Sequence, residues 1–316
     1  MIKKFSIGDF ARDFGLLEEE ITPECFLEFG RHNFEYSIID PERLYNTFDS
    51  VLDGIEKKSK IISGKNRKND WEDGWRESLE NFVQSNFDVN TLTPRYYSSE
   101  LEDRDNSILR MEGRYIKATS PNFLANLQRV LRKQIYSQYF KGFDNVYEFG
   151  CGSSFNFEDV FELYPNMKCV GLDWSNAAIE IINLLRQKKD WNIEGHRFDF
   201  FEPDENLDIR RNSVLFTFGA LEQTGDQYEK FLQFILRKKP DLCVNIEPID
   251  VFYDDKKILG YLGKKYHSNR NYLKNYLPRL KELEKEKKIE IFKTAKSSFG
   301  CTFQNIWSTI VWKPVW

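Results

Sequence analysis

The stretch VYEFGCGSSFNFEDV, Val146 to Val160, is a short apolar run that ends in an acid and a glycine turn before a helical pattern begins. A strand that stops near Glu148 and passes through Gly150 and Gly152 brings bare backbone N–H groups to the mouth of the next helix. The glycines also remove the side chains that would hold a ligand away from the backbone. The stretch reads as a nucleotide-type binding loop, and the residues around it decide which nucleotide.

Outward from the loop the pattern alternates. NVYEF, KCVGL (Lys168 to Leu172), EGHRF (Glu194 to Phe198), SVLFTF (Ser213 to Phe218) and LCVNIE (Leu242 to Glu247) are short apolar runs, four of them linked by stretches that can hold a helix. That is the signature of a parallel sheet in a doubly wound α/β domain. Ligands in such sheets sit beyond the carboxyl ends of the strands, near the switch point. The informative residues are therefore Glu148 to Gly152, Asp173-Trp174-Ser175, Asp199-Phe200, Gly219 to Gln223 and Glu247-Pro248.

In that order and spacing these residues resemble the class I S-adenosylmethionine-dependent methyltransferases, over about a third of the chain, from Asn145 to Glu247. The resemblance implies an α/β fold with a seven-stranded Rossmann-like sheet and S-adenosyl-L-methionine as cofactor. It makes Glu148, Gly150, Cys151 and Gly152 the first motif, Asp173 the ribose-binding acid, and Asp199 the partner of the adenine amino group. Trp174 and Phe200 fall where apolar side chains flank the purine, and Phe218 ends the fourth run beside them. Ser154 departs from the family by standing where a third glycine is frequent. The physics agrees: the Asp173 carboxylate can accept both ribose hydroxyl protons, and a cofactor without phosphate needs no phosphate cradle.

A nicotinamide-dependent oxidoreductase is the rival enzyme. It would want Gly-x-Gly-x-x-Gly, and Phe155 occupies the third position, where a ring crowds the helix that must receive the pyrophosphate. After the fifth run come a helical stretch, Asn271 to Lys288, and two runs, Ile289 to Thr294 and Asn305 to Trp312, that can pair antiparallel through the Phe299-Gly300 turn. The methyltransferase fold resembled here would require that pair. A reading from another class is a scaffold that binds the cofactor and has lost its chemistry.

The first 140 residues read as helices separated by loops. Thr22-Pro23-Glu24 and Asp40-Pro41-Glu42 each place a capping side chain before a proline. Leu44, Phe48, Val51, Leu52 and Ile55 then recur at helical spacing, as do Trp71, Trp75, Leu79 and Phe82, a pattern that reads as core packing. Glu56 to Lys68 reads as a basic solvated loop, and Ser120-Pro121 opens a long amphipathic helix leading into the glycine-loop strand. The division expected is a mainly helical lid or substrate lobe over 1–119 and a cofactor-binding α/β domain over 120–316. Arg110 and Arg114 precede the long helix, and one of them, with Arg114 taken as the cofactor-binding residue, is the expected partner of the methionine carboxylate.

The 316 residues carry 50 acids and 46 bases, a formal charge of −4, so no overall basic field invites a nucleic-acid backbone. The five scattered cysteines form no Cys-x-x-Cys pair, which argues against a disulfide framework or a zinc site. No apolar run approaches membrane-spanning length, and the acidic, basic start is unlike a signal peptide, so a cytoplasmic protein is expected.

Methyl transfer is in-line displacement at a sulfonium carbon, and a hydroxyl acceptor must lose a proton. Candidate groups lie beyond the fourth and fifth runs: Glu222, Glu247, and His267 in what reads as a polar loop. His267 is the preferred base, while Glu222 and Glu247 can equally bind acceptor hydroxyls or the cofactor ammonium. His196, inside a strand, and His32 read as structural. Glu247, Asp250, Asp254 and Asp255 could offer oxygens to Mg²⁺, but loop acids are ordinarily solvated, and no metal is assigned.

The tail, from Glu247-Pro248 through His267-x-x-Arg270-x-Tyr272 to Val311-Trp312, resembles bacterial methyltransferases of surface-polysaccharide or small-molecule biosynthesis. That resemblance implies O-methylation of a carbohydrate or related polar small molecule, with N-methylation of a small molecule as the alternative. The acceptor atom and the oligomeric state stay open.

Overall fold

The computed structural model describes residues 2–97 and 107–315. The N-terminal part holds β1 (Ile2–Lys4), α1 (Ile7–Asp13), α2 (Pro23–Gly30), β2 (Glu35–Ile38), α3 (Pro41–Lys58) and α4 (Lys68–Gln84). The proline-led caps do start helices: Thr22 accepts from the Cys25 N–H and Asp40 from that of Arg43. The hairpin β3 (Ile108–Met111) and β4 (Arg114–Ala118) follows and joins the first two strands in an antiparallel sheet of order β1-β2-β4-β3. The lobe is mainly helical, with this small sheet added.

Next, α5 (Phe123–Tyr139) leads into the main sheet, built from β5 (Asn145–Phe149), α6 (Asn156–Leu163), β6 (Lys168–Asp173), α7 (Asn176–Lys189), β7 (Ile193–Arg197), β8 (Ser213–Phe218), α8 (Glu229–Lys238) and β9 (Leu242–Glu247). The chain closes with α9 (Ile258–Asn269), α10 (Tyr276–Lys285), β10 (Ile289–Ala295) and β11 (Ser308–Pro314). The seven strands run β10-β11-β9-β8-β5-β6-β7, with β5 to β9 parallel and β11 antiparallel to both of its neighbours. This is the seven-stranded α/β sheet of the class I methyltransferase fold. Its order reverses between β5 and β8, which makes their carboxyl ends the switch point.

Strand alternation sorts the core onto two faces. Val146, Phe216 and Val244 join an apolar cluster that continues through α5 into Phe5, Phe10 and Phe34 of the N-terminal lobe. Tyr147, Phe149 and Leu215 face the other way, against Phe231 and Phe234 of α8 and Leu277 and Leu280 of α10. The lobe therefore shares a core with one face of the sheet. Among the described residues, no helix is long and apolar enough to cross a membrane.

Charge fixes α5 on α6. Asp159, fully buried, lies 2.5 Å from Arg132 Nε, 3.2 Å from Arg129 and 3.3 Å from Lys133. Removing one partner of a buried ion pair strands the other without counter-charge. Asp159→Ala is expected to destabilise the fold by about 3 kcal/mol, read as a lower urea midpoint at an unchanged slope. A midpoint equal to wild type would show that Glu158 and Glu162 carry the cluster without it.

Candidate cofactor and acceptor site

The turn after β5 requires its glycines. Gly150 and Gly152 adopt φ of +76° and +52°, and the Gly150 and Cys151 N–H groups donate to the Leu172 carbonyl at 2.7 and 3.1 Å. A Cβ on Gly150 would stand 2.3 Å from that of Ala220, and one on Gly152 2.4 Å from Trp75 Cζ2. Ser154, in place of the third glycine, takes the left-handed conformation at φ 63° that a glycine would hold most easily. Cys151 is buried, with its thiol pushed well up by that burial.

Four carboxylates gather beside this turn. Asp173 ends β6; its Oδ2 accepts from Gly152 N at 3.0 Å and its Oδ1 from Ser175 N at 2.9 Å, which leaves further lone pairs on both oxygens. Glu148 on β5 accepts from Asn156 Nδ2 at 2.5 Å, while its Oε2 is buried without a partner. Glu247 ends β9 and accepts from the N–H groups of Ala220, Leu221 and Glu222 at 3.1 to 3.2 Å. Glu222 sits in the loop after β8 and accepts from Gln223 Nε2 at 2.9 Å. Since β9, β8, β5 and β6 are successive neighbours, the acids form a row along the sheet's carboxyl edge. None of the four has an ion-pair partner among the described residues. Burial pushes Asp173 up to about 6, Glu247 to about 7, and Glu148 and Glu222 to about 8; at Glu222 the Glu247 charge adds to the effect and the Arg270 charge opposes it.

The other residues expected in the site are placed as follows. Trp174 faces Phe201 with centroids 6.0 Å apart, and Asp199 accepts from Phe201 N at 2.9 Å with Lys68 Nζ 3.9 Å away. Phe200 packs edge-on to Phe231 and would lie 3.4 Å from a Gly150 Cβ. Phe218 is buried 6.0 Å from the Trp307 ring. Arg114 is on β4, half exposed, 2.8 Å from Glu112, which also binds Arg12 at 2.7 Å; its charge is used within the N-terminal lobe.

Two candidates have positions that sequence did not foresee. His267 is not in a loop but in the last turn of α9, 1% exposed, with Nε2 2.6 Å from the Leu273 carbonyl. Burial pushes its pKa down, so it is a neutral ring donating to backbone. Glu247 spends both oxygens on holding the Ala220–Glu222 turn. Glu222 keeps the freer carboxylate.

The lobe contributes residues that the sequence left unmarked. Glu72 of α4 accepts from Ser175 Oγ at 2.8 Å, Asn176 N at 2.7 Å and Ala177 N at 3.2 Å, capping α7 just after Asp173. One turn on, Trp75 covers Gly152, stacked at 5.6 Å on Trp71. The Trp71/Trp75 stripe was legible only as core packing, because its partner is another part of the chain. Around Glu222 stand Tyr97, Tyr253, Tyr266 and Tyr272, their hydroxyl pKa values raised first by burial and further by the Glu222 charge. Arg270 lies 5.0 Å over the Tyr272 ring with its Nε buried and unpartnered.

No family model and no curated protein sequence matches the chain. Solved structures do match in outline. An O-methyltransferase from neocarzinostatin biosynthesis, in complex with S-adenosyl-L-homocysteine and 1,4-dihydroxy-2-naphthoic acid, is 13% identical over 61% of this chain and 58% of its own, at a TM-score of 0.37. The N,N-8-amino-8-demethyl-D-riboflavin dimethyltransferase of Streptomyces davawensis is 13% identical over 77% and 69%, at 0.41. A [4+2]-cyclase is 11% identical over 54% and 60%, also at 0.41. The chain spans less than two thirds of the neocarzinostatin enzyme it matches. At these values the likeness is one of fold.

The raised carboxyls set a pH dependence. A group whose folded pKa lies above its unfolded value binds protons more tightly when folded, so stability falls as pH rises between the two values. For Glu148 that window runs from the ordinary carboxylate range to about 8. Glu148→Gln is expected to flatten the decline of melting temperature between pH 5 and 8, as seen by calorimetry. A slope identical to wild type would mean that Glu148 is solvated.

Proposed function

We propose that the protein is an S-adenosylmethionine-dependent methyltransferase acting on a hydroxyl of a polar small molecule, a carbohydrate or related metabolite. The observation that carries this reading is the row of Asp173, Glu148 and Glu247, buried, with the half-buried Glu222, at the switch point and without an ion-pair partner among the described residues. Such an edge favours a ligand with positive charge and disfavours a pyrophosphate. S-adenosylmethionine brings an ammonium and a sulfonium, and supplies the electrophilic methyl group. Asp173 would hold the ribose hydroxyls, the bare turn at Gly150 and Gly152 would admit the sugar and methionine portions, and Trp174, Phe200 and Asp199 would border the purine. In this reading residues 1–119 form the covering lobe, through Trp75 and Tyr97.

Glu222 would act as the base. An acceptor oxygen attacking the methyl carbon must shed its proton, and a carboxylate near neutral pKa is matched to that task. The sulfonium would favour the ionised form of Glu222, readying the base only when the donor is present. Tyrosine rings around Glu222 supply apolar faces and hydroxyls of the kind that sugars bind. The same ring-and-carboxylate setting suits an amine, which supports small-molecule N-methylation as the second reading.

Asp173→Ala is expected to weaken S-adenosylhomocysteine binding about a hundredfold, from the loss of roughly 3 kcal/mol of charge-assisted hydrogen bonding. Calorimetric titration measures it; equal affinities, or tight binding of NADH by the wild type instead, would overturn the reading. Titration of S-adenosylmethionine near pH 7, in buffers of different ionisation enthalpy, should release protons that S-adenosylhomocysteine does not. Equal proton release would detach the acid row from the sulfonium. Binding without turnover of any acceptor would leave a scaffold.

A further inference from the structure

Beside the acid row lies a cavity of about 560 Å³, between the β3–β4 hairpin and α9, a volume that suits a small organic ligand. Ile249, two residues past Glu247, lines it, as does Ser308, the register partner of Glu247 on β11. Tyr253 lines it too and is one of the rings that feel the Glu222 charge. The cavity therefore lies next to the edge where transfer is proposed, although none of the four acids lines it.

Its charge is of the opposite sign. Arg110, on β3, lines the cavity at 1% exposure and, among the described residues, donates only to neutral acceptors: the Leu259 carbonyl at 2.7 Å, the Tyr115 hydroxyl at 3.2 Å and the Thr302 carbonyl at 3.3 Å. Three of the five guanidinium N–H groups are thus used, none of them on a carboxylate. Arg132, buried to a similar degree, has Asp159 at 2.5 Å. The chain makes room for the Arg110 head: a Cβ on Gly263 of α9 would stand 3.0 Å from its Nη1. Lys296, at the rim, also has no ion-pair partner among the described residues. The acids of the lining are engaged, Glu112 by Arg12 and Arg114, and Asp254 by Lys257 at 3.8 Å.

We propose that this cavity is an anion subsite of the acceptor pocket, and that the acceptor carries a carboxylate or phosphate seated against Arg110 and Lys296. A buried guanidinium satisfied only by neutral oxygens retains most of its desolvation cost, which an anion would relieve. The acceptor class is then a hydroxylated molecule bearing an acidic group, its hydroxyl toward Glu222 and its anion toward Arg110. This rests on the methyltransferase reading for the word acceptor; the anion site itself does not.

The experiment titrates the full chain with sodium pyrophosphate, with glucuronate and with glucose, at low salt, following heat of binding, and repeats each titration in Lys296→Glu and Arg110→Met. Binding of pyrophosphate or of glucuronate, but not glucose, is expected, and the better ligand tells phosphate from carboxylate. Lys296→Glu should weaken that binding about tenfold or more, as loss of a charge-assisted contact does, while S-adenosylhomocysteine affinity stays unchanged. Lys296 is exposed, so its variant tests the site even if Arg110→Met fails to fold. No anion binding, or anion binding that survives Lys296→Glu at full strength, would overturn the proposal. Anion binding in a protein that takes no S-adenosylhomocysteine would sink the methyltransferase reading and leave the subsite standing.

Discussion

The structure turns on four carboxylates, Glu148, Asp173 and Glu247 buried and Glu222 half-buried, side by side at the carboxyl edge of one sheet with no ion-pair partner among the described residues. Ionised acids in low dielectric are costly unless hydrogen-bonded or paired, and like charges nearby raise the cost. The fold meets that cost with backbone. Asp173 is held by Gly152 and Ser175, and Glu247 by three successive N–H groups after β8. Glu148 and Glu222 have only side-chain amides, and they are the two pushed highest. What the backbone leaves unsatisfied is the capacity for a positive ligand.

That row was legible from sequence for a local reason. Each acid follows a short apolar run, and the period of two, the turn glycines and the parallel-sheet spacing are all properties of a few consecutive residues. The antiparallel β10–β11 pair was legible on the same terms. The N-terminal sheet was not: its strands are three to five residues long, every residue of β1 is exposed, and the others bury one to three residues without a strict alternation.

His267 shows how tertiary contact overrides local signals. The polar segment around it reads as a loop after the fifth run, yet it is the end of α9, a helix that also carries Gly260 and Gly263. A Cβ on Gly260 would meet the Asp254 carbonyl oxygen at 2.0 Å, and one on Gly263 the Tyr253 ring at 2.7 Å. Helix propensity is sacrificed there to let α9 approach the residues after β9. Arg114 is a similar case, since only the hairpin geometry shows that Glu112 is its partner. Glu72 and Trp75 were invisible because a helix stripe does not say which part of the chain it covers.

These lobe residues complete the electrostatics of the proposed site. Glu72 sits on the N-terminus of α7, where the helix dipole is positive, so a fifth acid near the ribose position is stabilised by the helix itself. It ties α4 to the segment that carries Asp173, while Trp75 on the next turn lies against Gly152. A ligand that shifts the glycine turn therefore acts on α4 through two contacts at once. If the donor is S-adenosylmethionine, transfer of its methyl group erases the sulfonium charge, and the acid row loses part of what stabilised it. Glu222, having taken the acceptor's proton, is then neutral, so the edge sheds one negative charge as the ligand sheds one positive charge. The two losses offset each other, which lets a site built around unpaired acids hold both the charged donor and the sulfur-neutral product without refolding between them.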